Sequence, residues 1–118
     1  MNRPKTIFLD IDGVLITHSN ILTKQLTDEV SIIEGTLEKM IEWDRKGYNI
    51  ILTTGRRESM REKTKIQLET LCIFYDQLVM GIGGGERIII NDRKENSNLN
   101  TCQSINLDRN QGIKNIDL

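Results

Sequence analysis

The chain is short of several things, and each shortage narrows what it can be. Two cysteines, Cys72 and Cys102, and one histidine, His18, stand among 118 residues. That is too few for a disulfide scaffold or a Cys/His zinc site, and no Cys-x-x-Cys pair is present; both cysteines are expected as buried, reduced thiols. No apolar run approaches membrane-spanning length, since runs such as Ile88 to Ile90 are far too short. Nothing near Met1 resembles a signal peptide, so a cytoplasmic location is the expectation. Charge of one sign is also missing: Lys+Arg 16 against Asp+Glu 17 leaves a net charge of −1. This balance weighs against nucleic acid or an anionic membrane as a partner. There is no internal repeat and no low-complexity linker, and residues 1–118 are expected to form one domain with no room for a separate cap.

What the chain does have is concentrated near its start. An apolar run, Ile7 to Leu9, ends in Asp10-Ile-Asp12 followed by Gly13. Side chains alternate along a strand, so the two carboxylates are expected on one side, close enough to share a cation. A strand over residues 6–10 opens the domain. Residues 17–35 are polar and irregular, with short apolar patches at Ile21-Leu22 and Val30 to Ile32, and read as a small flap. A helix capped by Thr36, with Leu37, Met40 and Ile41 on its inner stripe, should stop at Gly47. Trp43 on that helix reads as core or interface. A second buried strand, 48–53, leads through Gly55 into a helix over about 58–71, with Met60, Thr64, Leu68, Leu71 and Cys72 inward. Short apolar segments at 73–75 and 78–80 precede the Gly81–Gly85 loop. That loop precedes a strand rather than opening a helix, so it is no dinucleotide fingerprint; it is expected to need positive φ or close approach. Two further strands are expected, over 87–91 and 101–107.

Strands alternating with helices predict an α/β fold, a three-layer Rossmann-like parallel sheet with helices on both faces, capless, with a small flap after the first strand. In such sheets ligands bind beyond the carboxyl ends of the strands. Three strand ends carry polar groups: Asp10-Ile-Asp12, Thr53-Thr54-Gly55-Arg56 and Asn91-Asp92-Arg93-Lys94.

The Phe-Leu-Asp-Ile-Asp-Gly-Val run at 8–14, Ile-Leu-Thr-Thr-Gly-Arg at 51–56 and Ile-Ile-Asn-Asp at 89–92 resemble, in order, the motifs of the haloacid dehalogenase-like phosphohydrolase superfamily. Small phosphatases associated with capsular polysaccharide biosynthesis look similar, and the phosphatase domains of polynucleotide kinase-phosphatases more distantly so. The resemblance implies a phosphomonoester hydrolase. Asp10 would be the nucleophile forming an aspartyl-phosphate, and Asp12 the general acid and then base. Mg²⁺ would be held by Asp10, the Asp12 carbonyl and Asp92, with Asn91 in support. Thr54 would hold a phosphoryl oxygen; Thr53 is the one-residue-slip alternative, set aside because alternation should turn it to the other face. Gly13, Gly55 and Arg56 would line the substrate phosphate. The family's neutralising cation has no Lys at its usual place. Lys94, at the rim just beyond Asp92, is placed ahead of Arg87, whose order in the chain is more family-like. The expected substrate is a small phosphorylated metabolite such as a sugar phosphate, and a homo-oligomer that shields an open site is compatible with the family. Alternatives are a polynucleotide 3′-phosphatase and a non-catalytic phosphate-binding protein. His18 and the tail from Asp108 to Leu118 are left without an assigned role.

Overall fold

The computed structural model describes residues 3–18 and 30–118. The Ile21-Leu22 half of the expected flap lies outside them. Strand β1 spans Thr6–Asp10, helix α1 Thr36–Arg45, strand β2 Asn49–Thr53, helix α2 Arg61–Thr70 and strand β3 Gln77–Val79. A 3₁₀ turn, Glu58–Met60, leads into α2. The strands form a parallel sheet in the order β1-β2-β3. This is a small α/β fold with a three-stranded parallel sheet and two helices.

Strand alternation explains where the core sits. Ile7 and Leu9 of β1, Ile50 and Leu52 of β2 and Leu78 of β3 share a face by register. They form one buried cluster with Met40 and Trp43 of α1, Leu68 of α2, and Ile11, Leu15 and Ile16. Both helices thus contribute buried residues to the same cluster. Trp43, rather than the exposed Ile41, completes the α1 stripe with Met40. On the other face Phe8 lies beside Ile51, and Asp10 beside Thr53 and Val79. Phe8 is 57% exposed there.

Several boundaries shift for local reasons. Gly35, at φ 86°, is the N-cap of α1, and Thr36 instead buries its hydroxyl and donates to the Leu15 carbonyl at 3.0 Å. Gly47 ends that helix with φ 79°, as expected of a left-handed C-terminal residue. The second helix is preceded by the 3₁₀ turn, which Arg61 ties down through Glu58 at 2.6 Å and the Leu78 carbonyl at 3.2 Å. Cys72 follows α2 at φ 62° and is exposed, and Cys102 is exposed too. Both thiols are free, but neither is buried as the sequence suggested.

The largest departure follows β3. Residues 87–91 and 101–107, expected as strands, carry no strand pairing, and nearly all of residues 81–112 are exposed. Ile88 is 75% exposed and Ile90 93%. This stretch projects as a two-legged excursion. Asn91 Nδ2 donates to the Thr101 carbonyl at 3.5 Å, and Arg93 donates to Asn100 Oδ1 at 3.0 Å. The molecule measures 53 × 28 × 25 Å with a radius of gyration of 15.3 Å, against about 13.5 Å for a compact chain of this length.

The chain then returns to its body. Ile113 is fully buried in the core cluster. Lys46 Nζ donates to the Leu118 carbonyl at 2.8 Å, and Lys114 pairs with Glu34 at 3.0 Å. The C-terminal segment thus folds back on the sheet-helix body.

Candidate active site

Asp10 ends β1 on the open face of the sheet, half-buried, directly across from Thr53. Beyond it the chain turns sharply. The Gly13 N–H donates to the Ile16 carbonyl at 2.7 Å, with Gly13 at φ 87°. A side chain at Gly13 would be strained at that φ and would meet Arg109 Cγ at 3.2 Å. The turn is held from outside by Asn110, whose N–H donates to the Gly13 carbonyl at 2.8 Å. Its side chain accepts from the His18 N–H at 2.7 Å and donates to the His18 carbonyl at 3.2 Å. Nothing in the sequence points to this clamp; partners 92 residues apart are set by tertiary packing.

Burial pushes the Asp10 carboxyl above its ordinary range, and the neighbouring Asp12 adds to this. The Ile11 backbone N–H and the charges of Arg87 and His18 pull the other way. Arg87 is therefore within electrostatic reach of the carboxylate, whereas Lys94 sits in a turn at the far end of the excursion, where the Ser97 N–H donates to its carbonyl. Of the two candidate cations, Arg87 is the one whose charge acts on Asp10, while its guanidinium donates to the Gly85 carbonyl. His18 Nδ1 is buried near the same turn without a hydrogen-bond partner among the described residues.

Asp12 is committed elsewhere. Arg56 forks onto it, Nε to Oδ2 at 2.9 Å and one terminal nitrogen to Oδ1 at 2.7 Å. The other terminal nitrogen donates to Thr64 Oγ1 at 3.1 Å and Gln67 Oε1 at 2.7 Å. Arg56, expected on a substrate phosphate, thus spends its donors inside the protein, joining the β1 turn to α2. Bidentate pairing of this kind fixes geometry as well as charge.

The two threonines also differ from expectation. Register puts Thr53, not Thr54, across from Asp10, so strand alternation favours Thr53 there. The Thr53 hydroxyl donates weakly to the Leu9 carbonyl at 3.4 Å. Thr54 is buried, and its hydroxyl accepts the Arg56 N–H at 3.0 Å, stabilising the turn after β2. Gly55 is explained by close approach: a Cβ there would meet the Gly83 carbonyl oxygen at 2.7 Å. The glycine loop arches back over this turn, with Gly81 N–H to the Arg56 carbonyl at 2.7 Å and Ile82 N–H to the Thr54 carbonyl at 3.2 Å. Gly81 and Gly83 both have positive φ, as the sequence suggested for that loop.

Asn91 and Asp92 are exposed on the projecting excursion. Among the described residues no three His, Cys, Asp or Glu side chains gather as a metal-holding group. Asp10 and the Asp12 carbonyl remain for a divalent cation, but Asp92 does not gather with them within one chain, so the expected Mg²⁺ ligand set is incomplete there. The structure brings together Asp10, Asp12, Gly13, Arg56 and Arg87, with Thr53, Thr54 and Gly55 on the neighbouring strand end. Asn91, Asp92 and Lys94 stand apart from them.

No family model, no curated protein and no solved structure matches the chain.

Proposed function

We propose that the protein is a phosphomonoester hydrolase of the haloacid dehalogenase-like type, with Asp10 as its nucleophile and a small phosphorylated metabolite, such as a sugar phosphate, as its substrate. The observation that carries this reading is the position of Asp10. It ends a parallel strand, beside a tight Gly13 turn and within electrostatic reach of Arg87. Strand ends of parallel sheets are where such folds place their chemistry. The finer architecture, a capless three-layer Rossmann-like domain, belongs to the same proposal.

In the first step an Asp10 carboxylate oxygen attacks phosphorus, and the bond from phosphorus to the leaving oxygen breaks. The leaving alkoxide takes a proton. Water then attacks the phosphorus of the aspartyl-phosphate, the bond to Asp10 breaks, and inorganic phosphate departs with the carboxylate restored. Arg87 offsets the negative charge that nucleophile and phosphate bring together. For Asp12 to exchange the protons, one of its oxygens must leave the Arg56 fork, which makes Arg56 a positioning residue for that acid and base. Mg²⁺ would lower the repulsion between the two anions, but within one chain its ligands are incomplete.

The Asp12–Arg56 fork equally suits a non-catalytic phosphate-binding protein, because it occupies the group the chemistry needs. Phosphate release from a panel of sugar phosphates and a 3′-phosphorylated oligonucleotide, with and without Mg²⁺, separates the readings. Turnover of a sugar phosphate that is lost in Asp10→Asn is expected. Equal background rates for both proteins would reject the enzyme, and marked preference for the oligonucleotide would change the substrate.

A further inference from the structure

Among the described residues, the apolar segment Arg87-Ile-Ile-Ile-Asn91 and the outer edge of β1 are each left without a strand partner. Among the described residues β1 pairs with β2 alone, and on its other side Thr6–Asp10 has no described strand beside the proposed nucleophile. Such an edge is a template for another strand. Ile88, Ile89 and Ile90 meanwhile stand in solvent, with Leu99 and Ile105 exposed on the same excursion. These are strand-forming residues with nothing to pack on.

Chain length excludes a parallel meeting of the two within one chain. A parallel strand can rejoin its own sheet only through a crossover of a dozen or more residues. Between Val79, the end of β3, and Arg87 there are seven, Met80–Glu86. That stretch is also pinned to the rim by the Gly81 and Ile82 hydrogen bonds. The segment cannot lie parallel to the β1 of its own chain, but the β1 of a second copy imposes no such limit.

We infer that two copies of this chain exchange this excursion, the 87–91 segment of each adding as a parallel strand to the free edge of β1 in the other. The exchange rests on the phosphatase reading for its consequence: Asn91 and Asp92 of one copy reach Asp10 of the other, and each site is completed in trans. Setting Asn91 beside Asp10 places Ile89 beside Phe8. Arg87 stays with the Asp10 of its own chain. The five residue steps from Arg87 to Asp92 span about 17 Å of extended strand, so one excursion touches both centres. A self-complementary contact of this kind closes with two-fold symmetry.

The full-length chain is expected to run as a dimer in light scattering at micromolar concentration; a monomer at every concentration overturns the exchange. Two differently tagged chains, with Cys72 and Cys102 changed to Ser, carry Phe8→Cys in one and Ile89→Cys in the other. Refolded together and oxidised, they should form a disulfide between tags. Absence of that product, or closure within one chain when both substitutions are on the same chain, overturns the exchange. Activity gives a separate reading. Asp10→Asn and Asp92→Asn chains, each inactive alone, should regain about a quarter of wild-type turnover when refolded as an equal mixture, because half the dimers are mixed and each has one intact site. A dead mixture beside an active wild type rejects completion in trans and leaves the phosphatase reading standing. Wild type that turns over nothing rejects the phosphatase reading, while the disulfide still reports on the exchange.

Discussion

Asp10 carries the account at the scale of single residues, and its charge has a cost. Burial and Asp12 raise its proton affinity in the folded chain above the ordinary carboxylate value of 3.8. Ionised Asp10 therefore opposes folding at neutral pH, and the penalty disappears as pH falls through the raised folded value toward 3.8. Asp10→Asn should raise the melting temperature at pH 7, with the gain shrinking in acid, as thermal unfolding across a pH series would show. Turnover by the wild type should fall on the acid side at a higher pH than an ordinary carboxylate gives, since the nucleophile must be ionised. Arg56 makes the opposite contribution. Its loss leaves a part-buried Asp12 without its fork, and Arg56→Ala should cost about 1.5–3 kcal/mol in urea unfolding. Arg56→Lys should recover little of this, because an ammonium cannot bridge both carboxylate oxygens and reach Thr64 and Gln67. None of this pairing was legible beforehand: Asp12 and Arg56 lie 44 residues apart, and only packing brings them together.

Among the elements, those with strong local signals were legible and those that depended on the rest of the chain were not. The bounds of β1 follow from its apolar run and the carboxylates that end it. Helix α1 follows from its periodicity and Gly47, although its cap is Gly35 rather than Thr36. The 87–91 segment has the composition of a buried strand and is not paired. Its local preference is real, but the short connection from β3 denies it a parallel place in its own sheet, and that length is readable in the sequence. The loop and tail supply testable contacts. Gly55→Ala drives a Cβ to 2.7 Å from the Gly83 carbonyl oxygen, a backbone atom with little room to yield. It should destabilise the chain by about 1–3 kcal/mol. Ile113→Ala removes a fully buried side chain that ties the tail to the core, and should cost about 2–5 kcal/mol. Denaturant unfolding of each variant checks both values, and loss of the Asn110 clamp should accompany the second.

For the whole molecule, the sheet and helices form a body with one well-buried face, while the excursion carries unburied isoleucines beyond it. The β1 edge left open among the described residues, the exposed Phe8 and the separated Asp92 all go with the short route from β3. An exchanged pair of chains would resolve all of them together. No helix among the described residues is long and apolar enough to cross a membrane, and the near-neutral charge gives no field for capturing long polyanions.

The most direct test of the central claim is chemical trapping of Asp10. Wild-type protein is quenched during turnover of a sugar phosphate with Mg²⁺, reduced with borohydride and digested for peptide mass spectrometry. A phosphorylated carboxyl is reduced to an alcohol, so homoserine at position 10 is expected, only when substrate is present and not in Asp10→Asn. Turnover that leaves position 10 as unmodified aspartate, or that marks another carboxylate, would contradict the account.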